Sequence, residues 1–317
     1  MTSKPLVVQT ENLDAAAAAW LVERCEVVAC SSDDKTRFAE LLTRADGLLI
    51  RTYTNVDEAM LAGAPRLKVV ARAGVGLDNV DVAACRKRDV TVVSTPGANT
   101  RAVVELVTAY MLDVLRPRVY LDHAPGREPW NETRKAMIAP RQLCDLSLGI
   151  IGLGRVGSAV ARVGAAMDMR VKYHDLVTIP EDRRFGAEPA GLEQLLRESD
   201  VVSVHVDGRG ENRHLINAAA MEKCKPNVLL MNTSRGFVVD PHALAAFLKI
   251  HPAATAVLDV HDPEPFGPDY PLLGLKNARL TPHIGAATTS AHANMSWVVK
   301  DLWRVLSGEP PEHPAWA

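Results

Sequence analysis

The chain has 317 residues, enough for two domains that each bury a core. With 47% hydrophobic residues, 23% charged residues and a formal net charge of -2, it has the balance of a globular protein and no general electrostatic attraction for nucleic acid or an anionic membrane. No apolar run reaches the ~18 residues of a membrane span, and the first residues do not pattern as a leader. Five scattered cysteines (Cys25, Cys30, Cys85, Cys144, Cys224) read as free, buried thiols of a cytoplasmic protein.

In chain order, short apolar runs at 4–9, 26–30, 46–51, 68–73 and 90–94 predict strands, with helical segments at 14–23, 36–44, 56–63 and 81–88 between them. Strands alternating with helices predict a parallel α/β sheet. A helix is expected over 101–115, where apolar residues recur near helical spacing. Residues 117–140, rich in Pro, Arg and other polar residues, give no clear element. A second α/β unit follows, with strands expected at 147–151, 170–174, 200–206, 227–233, 254–260 and 278–281, and helices at 155–167, 191–198, 217–223 and 241–249. A single helix is expected over about 288–307, before a Pro-rich tail.

The second unit opens on GLGRVG at 152–157, between an apolar run and an amphipathic segment. That context makes a G-x-G-x-x-G informative. Gly152 permits the tight turn, Gly154 admits a pyrophosphate close to the backbone, and Gly157 lets the helix pack on the strand. The helix N-terminus suits a diphosphate. Asp175, ending the next strand, can accept from a ribose and would repel a 2′-phosphate, so the expected cofactor is NAD. The fingerprint lies mid-chain, so the nucleotide domain is expected to be inserted into another domain, with the last helix returning to the N-terminal unit.

Open parallel sheets bind ligands beyond the carboxyl ends of their strands. The second unit's strands end at Gly152, Asp175, His205, Thr233 to Arg235, Asp259 and His283. Titratable groups gathered on one sheet edge point to an active site. Arg235 suits bidentate capture of a carboxylate. His283, in TPHIG, suits proton transfer near neutral pH. A carboxylate beside it would orient it; Glu264 and Asp262 are both candidates, and no metal ligand set is expected.

Together these segments resemble the D-isomer-specific 2-hydroxyacid dehydrogenases. The likeness spans nearly the whole chain and rests on RAGVGLDNVD (72–81), STPGANT (94–100), LGIIGLGRVG (148–157), RHLIN (213–217), MNTSRGFVVD (231–240), LDVHDPEP (258–265) and TPHIG (281–285). It implies an α/β fold of two Rossmann-like, doubly wound parallel-sheet domains: an NAD-binding domain (101–286) inserted into a flavodoxin-like substrate domain (1–100 plus 287–317). It implies that Arg235 orients a 2-oxo acid, that Glu264 rather than Asp262 pairs with His283, and that His283 moves the proton. Asp175 would contact ribose and Asp259 the nicotinamide amide; Thr100, Arg155, Val156, His205, Thr233 and Gly285 would also touch the cofactor. The loop of Gly74, Val75 and Gly76 would hold the substrate carboxylate through its amides. RAGVGLDNVD looks most like the 3-phosphoglycerate dehydrogenase branch, where Arg51 and Arg72 stand at phosphate-binding positions. The resemblance also implies a homodimer. Alternative readings are a glyoxylate or hydroxypyruvate reductase, another 2-oxo acid reductase, or, in a different class, an NAD(H)-sensing corepressor-like scaffold. Two residues depart from the family pattern: Leu106 stands where His is frequent, and Asp207 where Pro usually follows His-Val.

Overall fold

The structure is a computed structural model, and it describes residues 4–315. Its contacts divide the chain into two compact units, Met1–Asn99 with Ala286–Ala317, and Thr100–Gly285.

The first unit begins with β1 (Leu6–Gln9), α1 (Ala15–Val22), β2 (Glu26–Ala29), α2 (Lys35–Leu42), β3 (Gly47–Ile50), α3 (Glu58–Ala62), β4 (Val69–Arg72), α4 (Val82–Lys87) and β5 (Thr91–Val93). Aspartates cap all four helices: Asp14, Asp34, Asp57 and Asp81 each accept from an amide of the first turn, which satisfies donors a helix start leaves open. The sheet order is β2-β1-β3-β4-β5, all parallel, the flavodoxin-like order. β3 is buried along its whole length, as a strand covered on both faces must be.

The second unit begins with α5 (Thr100–Leu115) and α6 (Arg127–Ala136). α6 buries no residue. Then follow β6 (Ser147–Ile151), α7 (Arg155–Ala166), β7 (Arg170–His174), the short β8 (Glu188–Pro189), α8 (Leu192–Glu198), β9 (Val201–Val204), α9 (Ala218–Met221), β10 (Leu229–Asn232), α10 (Pro241–Ile250), β11 (Thr255–Leu258) and β12 (Ala278–Leu280). The order β12-β11-β10-β9-β6-β7-β8 reverses direction between β6 and β9. This is the doubly wound arrangement, whose reversal point marks the ligand crevice. One core on this sheet joins Val107 and Met111 of α5 to Leu148 and Ile150; another joins Leu195, Val202, Leu230 and Leu244.

The chain returns to the first unit with α11 (Thr289–Ser296) and α12 (Val299–Leu306). One continuous helix was expected here; Trp297 and Val298 instead turn on short bonds back to Asn294 and Met295, and α12 buries Val299 and Leu302 in a cluster with Val7, Leu21 and Val69. Of the cysteines, Cys25, Cys30 and Cys85 are buried, but Cys144 is exposed and Cys224 half-buried, against the expectation of five buried thiols.

Asp200 holds the start of β6. Its carboxylate, 5% exposed, accepts from the Ser147 amide (2.9 Å) and hydroxyl (2.7 Å), Arg141 (2.9 Å) and Lys225 (3.0 Å). Burial alone would raise its pKa, but those bonds outweigh burial and hold the carboxyl far below the usual range. The stabilisation is therefore complete above the pKa of an unfolded aspartate and is lost as the pH falls toward the depressed value. Asp200→Ala, which orphans these donors, is expected to cost ~3 kcal/mol, read as a lower urea midpoint at pH 7.

Candidate active site

At the end of β6 the chain turns at Gly152 (φ +90°), a conformation that favours glycine. A side-chain carbon at Gly157 would lie 2.0 Å from the Gly152 carbonyl oxygen, so α7 and the turn approach as closely as they do only because residue 157 is glycine. A carbon at Gly154 would meet nothing within 4 Å. Gly154 is the N-cap of α7 and supplies no capping side chain, and the first turn carries no acidic residue. Open space over uncapped amides is what a pyrophosphate needs, with Arg155 and Val156 opening the helix. Asp175, just past β7, accepts from the Leu153 amide (2.7 Å) and the Val177 amide (3.1 Å), which fixes its carboxylate beside the turn. These residues fit a dinucleotide. Gly154→Ala is accordingly expected to change stability by less than ~1 kcal/mol while weakening NADH binding at least about tenfold, as measured by thermal melting and by quenching of protein fluorescence.

His205 ends β9. Its Nε2 is 2.8 Å from the Ser203 hydroxyl and its Nδ1 3.4 Å from the Thr233 hydroxyl. Burial pushes its pKa down to about 4, so it is neutral at physiological pH.

At the end of β10, the fully buried Asn232 organises the next turn. Its carbonyl oxygen accepts from the Ser234 amide (3.0 Å) and hydroxyl (2.7 Å), and its amide nitrogen donates to the Arg235 carbonyl (2.9 Å). The Arg235 guanidinium also donates to the Ser234 carbonyl at 2.7 Å. A side-chain carbon at Gly236 would sit 1.9 Å from the His261 backbone, so glycine is required for this close approach.

Glu264 bridges the loop after β11 to that after β12. One carboxylate oxygen accepts from the His261 amide at 2.7 Å, and the other pairs with His283 Nδ1 at 2.7 Å. Asp262, the alternative partner, is instead paired with Arg213 at 3.1 Å. The bond to Glu264 raises the His283 pKa above the ordinary value, against the opposing effect of burial. For Glu264, burial pulls upward but the bonds from His283 and the His261 amide prevail, leaving it a carboxylate. His283 has φ +53°, sparsely populated for a side-chain-bearing residue. Asp259, 1% exposed, holds this loop: it accepts from the Ile284 amide (2.9 Å), the Gly285 amide (2.7 Å), the Thr281 hydroxyl (2.6 Å) and the Tyr110 hydroxyl (3.2 Å). Tyr110 and Thr281 were not foreseen. Thr281 lies inside the TPHIG segment, but Tyr110 on α5 carries no sequence signal for this role. His261, also unforeseen, is buried against Tyr270 and the Thr281 carbonyl.

Within the first unit, Arg51 and Arg72 stand at the ends of β3 and β4. Arg72 Nε donates to the Arg51 carbonyl at 3.0 Å, and the Arg72 guanidinium lies over Gly74. The Arg51 guanidinium reaches His292 Nε2 and the Asn12 carbonyl. Glu11 accepts from the backbone amides of Arg51, Thr52 and Tyr53, fixing the chain where Arg51 departs. Val75 is exposed, and among the described residues neither its amide nor that of Gly76 takes a backbone hydrogen bond.

Comparison with known proteins agrees with this chemistry. Residues 108–285 match the family model for the NAD binding domain of D-isomer specific 2-hydroxyacid dehydrogenases. The glyoxylate reductase of Aeropyrum pernix is 37% identical over 273 residues, 84% of this chain and 82% of that protein. The D-3-phosphoglycerate dehydrogenase of Archaeoglobus fulgidus is 37% identical over 267 residues, 84% of this chain and 50% of that protein, so the chain spans about half the length of that relative. Among solved structures, D-lactate dehydrogenase from Aquifex aeolicus, determined with NAD and lactic acid, superposes with a TM-score of 0.80 at 28% identity, covering 96% of both chains.

Proposed function

The chain belongs to the D-isomer specific 2-hydroxyacid dehydrogenase family and is an NAD-dependent oxidoreductase acting on CH-OH, and we propose that its substrate carries a second anionic group, with D-3-phosphoglycerate and its 2-oxo counterpart as the pair. The observation that carries this reading is the cationic cluster of Arg51 and Arg72 on adjacent strand ends of the first unit, with His292 against Arg51. A phosphate dianion needs such charge.

Gly152, Gly154 and Gly157 with the start of α7 would hold NADH, which when bound would supply the hydride for C2. Arg235 binds the substrate carboxylate and polarises the carbonyl through charge-assisted bonds. Protonated His283 donates to the carbonyl oxygen in reduction, and neutral His283 takes the proton back in oxidation. Glu264 favours the protonated form of His283 and holds its ring. Asp259 positions the His283 loop and would lie on the nicotinamide side of a bound cofactor. Thr100, Arg155, Val156, Thr233 and Gly285 would supply the remaining cofactor contacts, with neutral His205 beside Thr233.

Glyoxylate or hydroxypyruvate reduction is the second reading. Arg51 and Arg72 are both bonded within their own unit, and a relative carrying the name glyoxylate reductase aligns over most of its length. The deciding experiment follows NADH oxidation with 3-phosphohydroxypyruvate, hydroxypyruvate and glyoxylate in parallel. The phosphorylated substrate is expected to lead in kcat/KM by at least about tenfold over hydroxypyruvate, ~1.4 kcal/mol, with the lead lost in Arg51→Ala. A preference for either unphosphorylated acid overturns the phosphate assignment. We also assign the exposed apolar residues Val119, Tyr120, Trp130 and Ile138 to self-association as a homodimer, which sedimentation would show.

A further inference from the structure

Asp207 is an acidic residue where the cofactor assignment leaves no use for one. It lies on the loop after β9, and β9 neighbours β6 at the reversal of strand order, so this loop borders the ligand crevice. The loop is packed against the dinucleotide turn itself: a side-chain carbon at Gly152 would lie 2.8 Å from the His205 carbonyl oxygen and 2.9 Å from the Val206 nitrogen. A bare carboxylate one residue further along would repel a dianionic pyrophosphate.

The carboxylate is not bare. Arg209 Nε lies 2.7 Å and 3.0 Å from the two Asp207 oxygens, and its Nη2 bonds one of them as well. The pair is built rather than incidental. The Arg209 amide donates to Asp207 at 3.3 Å, and the buried Asn212 side chain donates to both the carbonyl and the carboxylate of Asp207 at 3.0 Å. Asp207 therefore cannot swing away from the rim without breaking those bonds.

We propose that Arg209 is a cofactor-affinity residue that acts by cancelling the charge of Asp207 at the rim of the dinucleotide site, so that the two residues admit the pyrophosphate only as a pair. The inference rests on the dinucleotide site described above. Without Arg209, the Asp207 carboxylate stands without its guanidinium partner at the rim of a site for an anionic ligand, and the repulsion is strongest at low ionic strength.

The test measures NADH dissociation constants by fluorescence quenching at low and high salt. Arg209→Gln is expected to weaken NADH about tenfold, with the deficit shrinking as salt is raised. Arg209→Lys, which keeps the charge, and the double variant Asp207→Asn/Arg209→Gln, which removes both charges while keeping an acceptor for Asn212, are expected within about threefold of the parent protein. An unchanged Arg209→Gln overturns the proposal. A double variant as weak as Arg209→Gln overturns it too, because Arg209 would then act by itself or through loop shape. Parent protein that fails to bind NADH would instead indict the dinucleotide site, which Gly154→Ala and Asp175→Ala probe independently.

Discussion

Replacing His283 by Asn is expected to lower kcat for 2-oxo acid reduction by ~10²–10⁴-fold, the range that positioned proton transfer contributes, while the NADH dissociation constant stays within about threefold. Asn is the informative substitution because it tolerates the left-handed backbone that His283 adopts at φ +53° and retains a side-chain donor for Glu264, yet it carries no titrating proton. The pH dependence supplies an independent check. Glu264 raises the His283 pKa, so reduction, which needs the imidazolium, keeps its rate up to that raised value and declines above it. Oxidation needs the neutral ring and rises through the same value. In Glu264→Gln the charge is gone and the pKa falls, so the basic limb for reduction and the acidic limb for oxidation both move to lower pH. Limbs that stay in place would contradict the pairing, whatever the loss of rate.

Arg235→Ala is expected to lower kcat/KM by roughly 10³-fold, through lost carboxylate binding and lost polarisation of the carbonyl. Arg235→Lys is expected to recover little of this, because an ammonium cannot reproduce a planar, two-pronged donor. The position is set by the turn: Asn232 bonds both Ser234 and the Arg235 carbonyl, and Gly236 gives His261 its close approach. Gly236→Ala should therefore mimic a partial Arg235 defect, because the clash moves the backbone that carries the guanidinium. Steady-state kinetics on the three variants separate these effects. A loss confined to KM in Arg235→Ala would mean that the residue binds substrate and transition state equally.

Apart from the short β8, whose two residues are exposed and which was not expected, the sheet strands could be read from sequence, most clearly where strands buried on both faces are continuous apolar runs; β3, β9 and β10 are buried throughout. α6 could not, because it buries nothing and so has no apolar stripe to reveal it. The break between α11 and α12 was hidden because both halves remain helical and apolar residues run through the turn. At the site, strand-end position was enough to single out Arg235 and His283, but sequence left Glu264 and Asp262 as equals. The family resemblance chose Glu264, and the structure accounts for the choice through the bond to His283 and the pairing of Asp262 with Arg213. Tyr110 is separated from Asp259 by 149 positions, a distance no local pattern spans. Asp207 shows the opposite case: it looked anomalous from the family pattern, and only the placement of Arg209 explains how the loop carries it.

The central claim, hydride transfer between nicotinamide and C2 of an anionic 2-oxo acid, is tested most directly with NADH deuterated at the transferring position of C4. Incubated with 3-phosphohydroxypyruvate, hydroxypyruvate and glyoxylate, the protein is predicted to place one deuterium at C2 of the hydroxy acid product, and His283→Asn to bind the same NADH but form that product far more slowly. Tight NADH binding with no deuterium in any product would contradict the account.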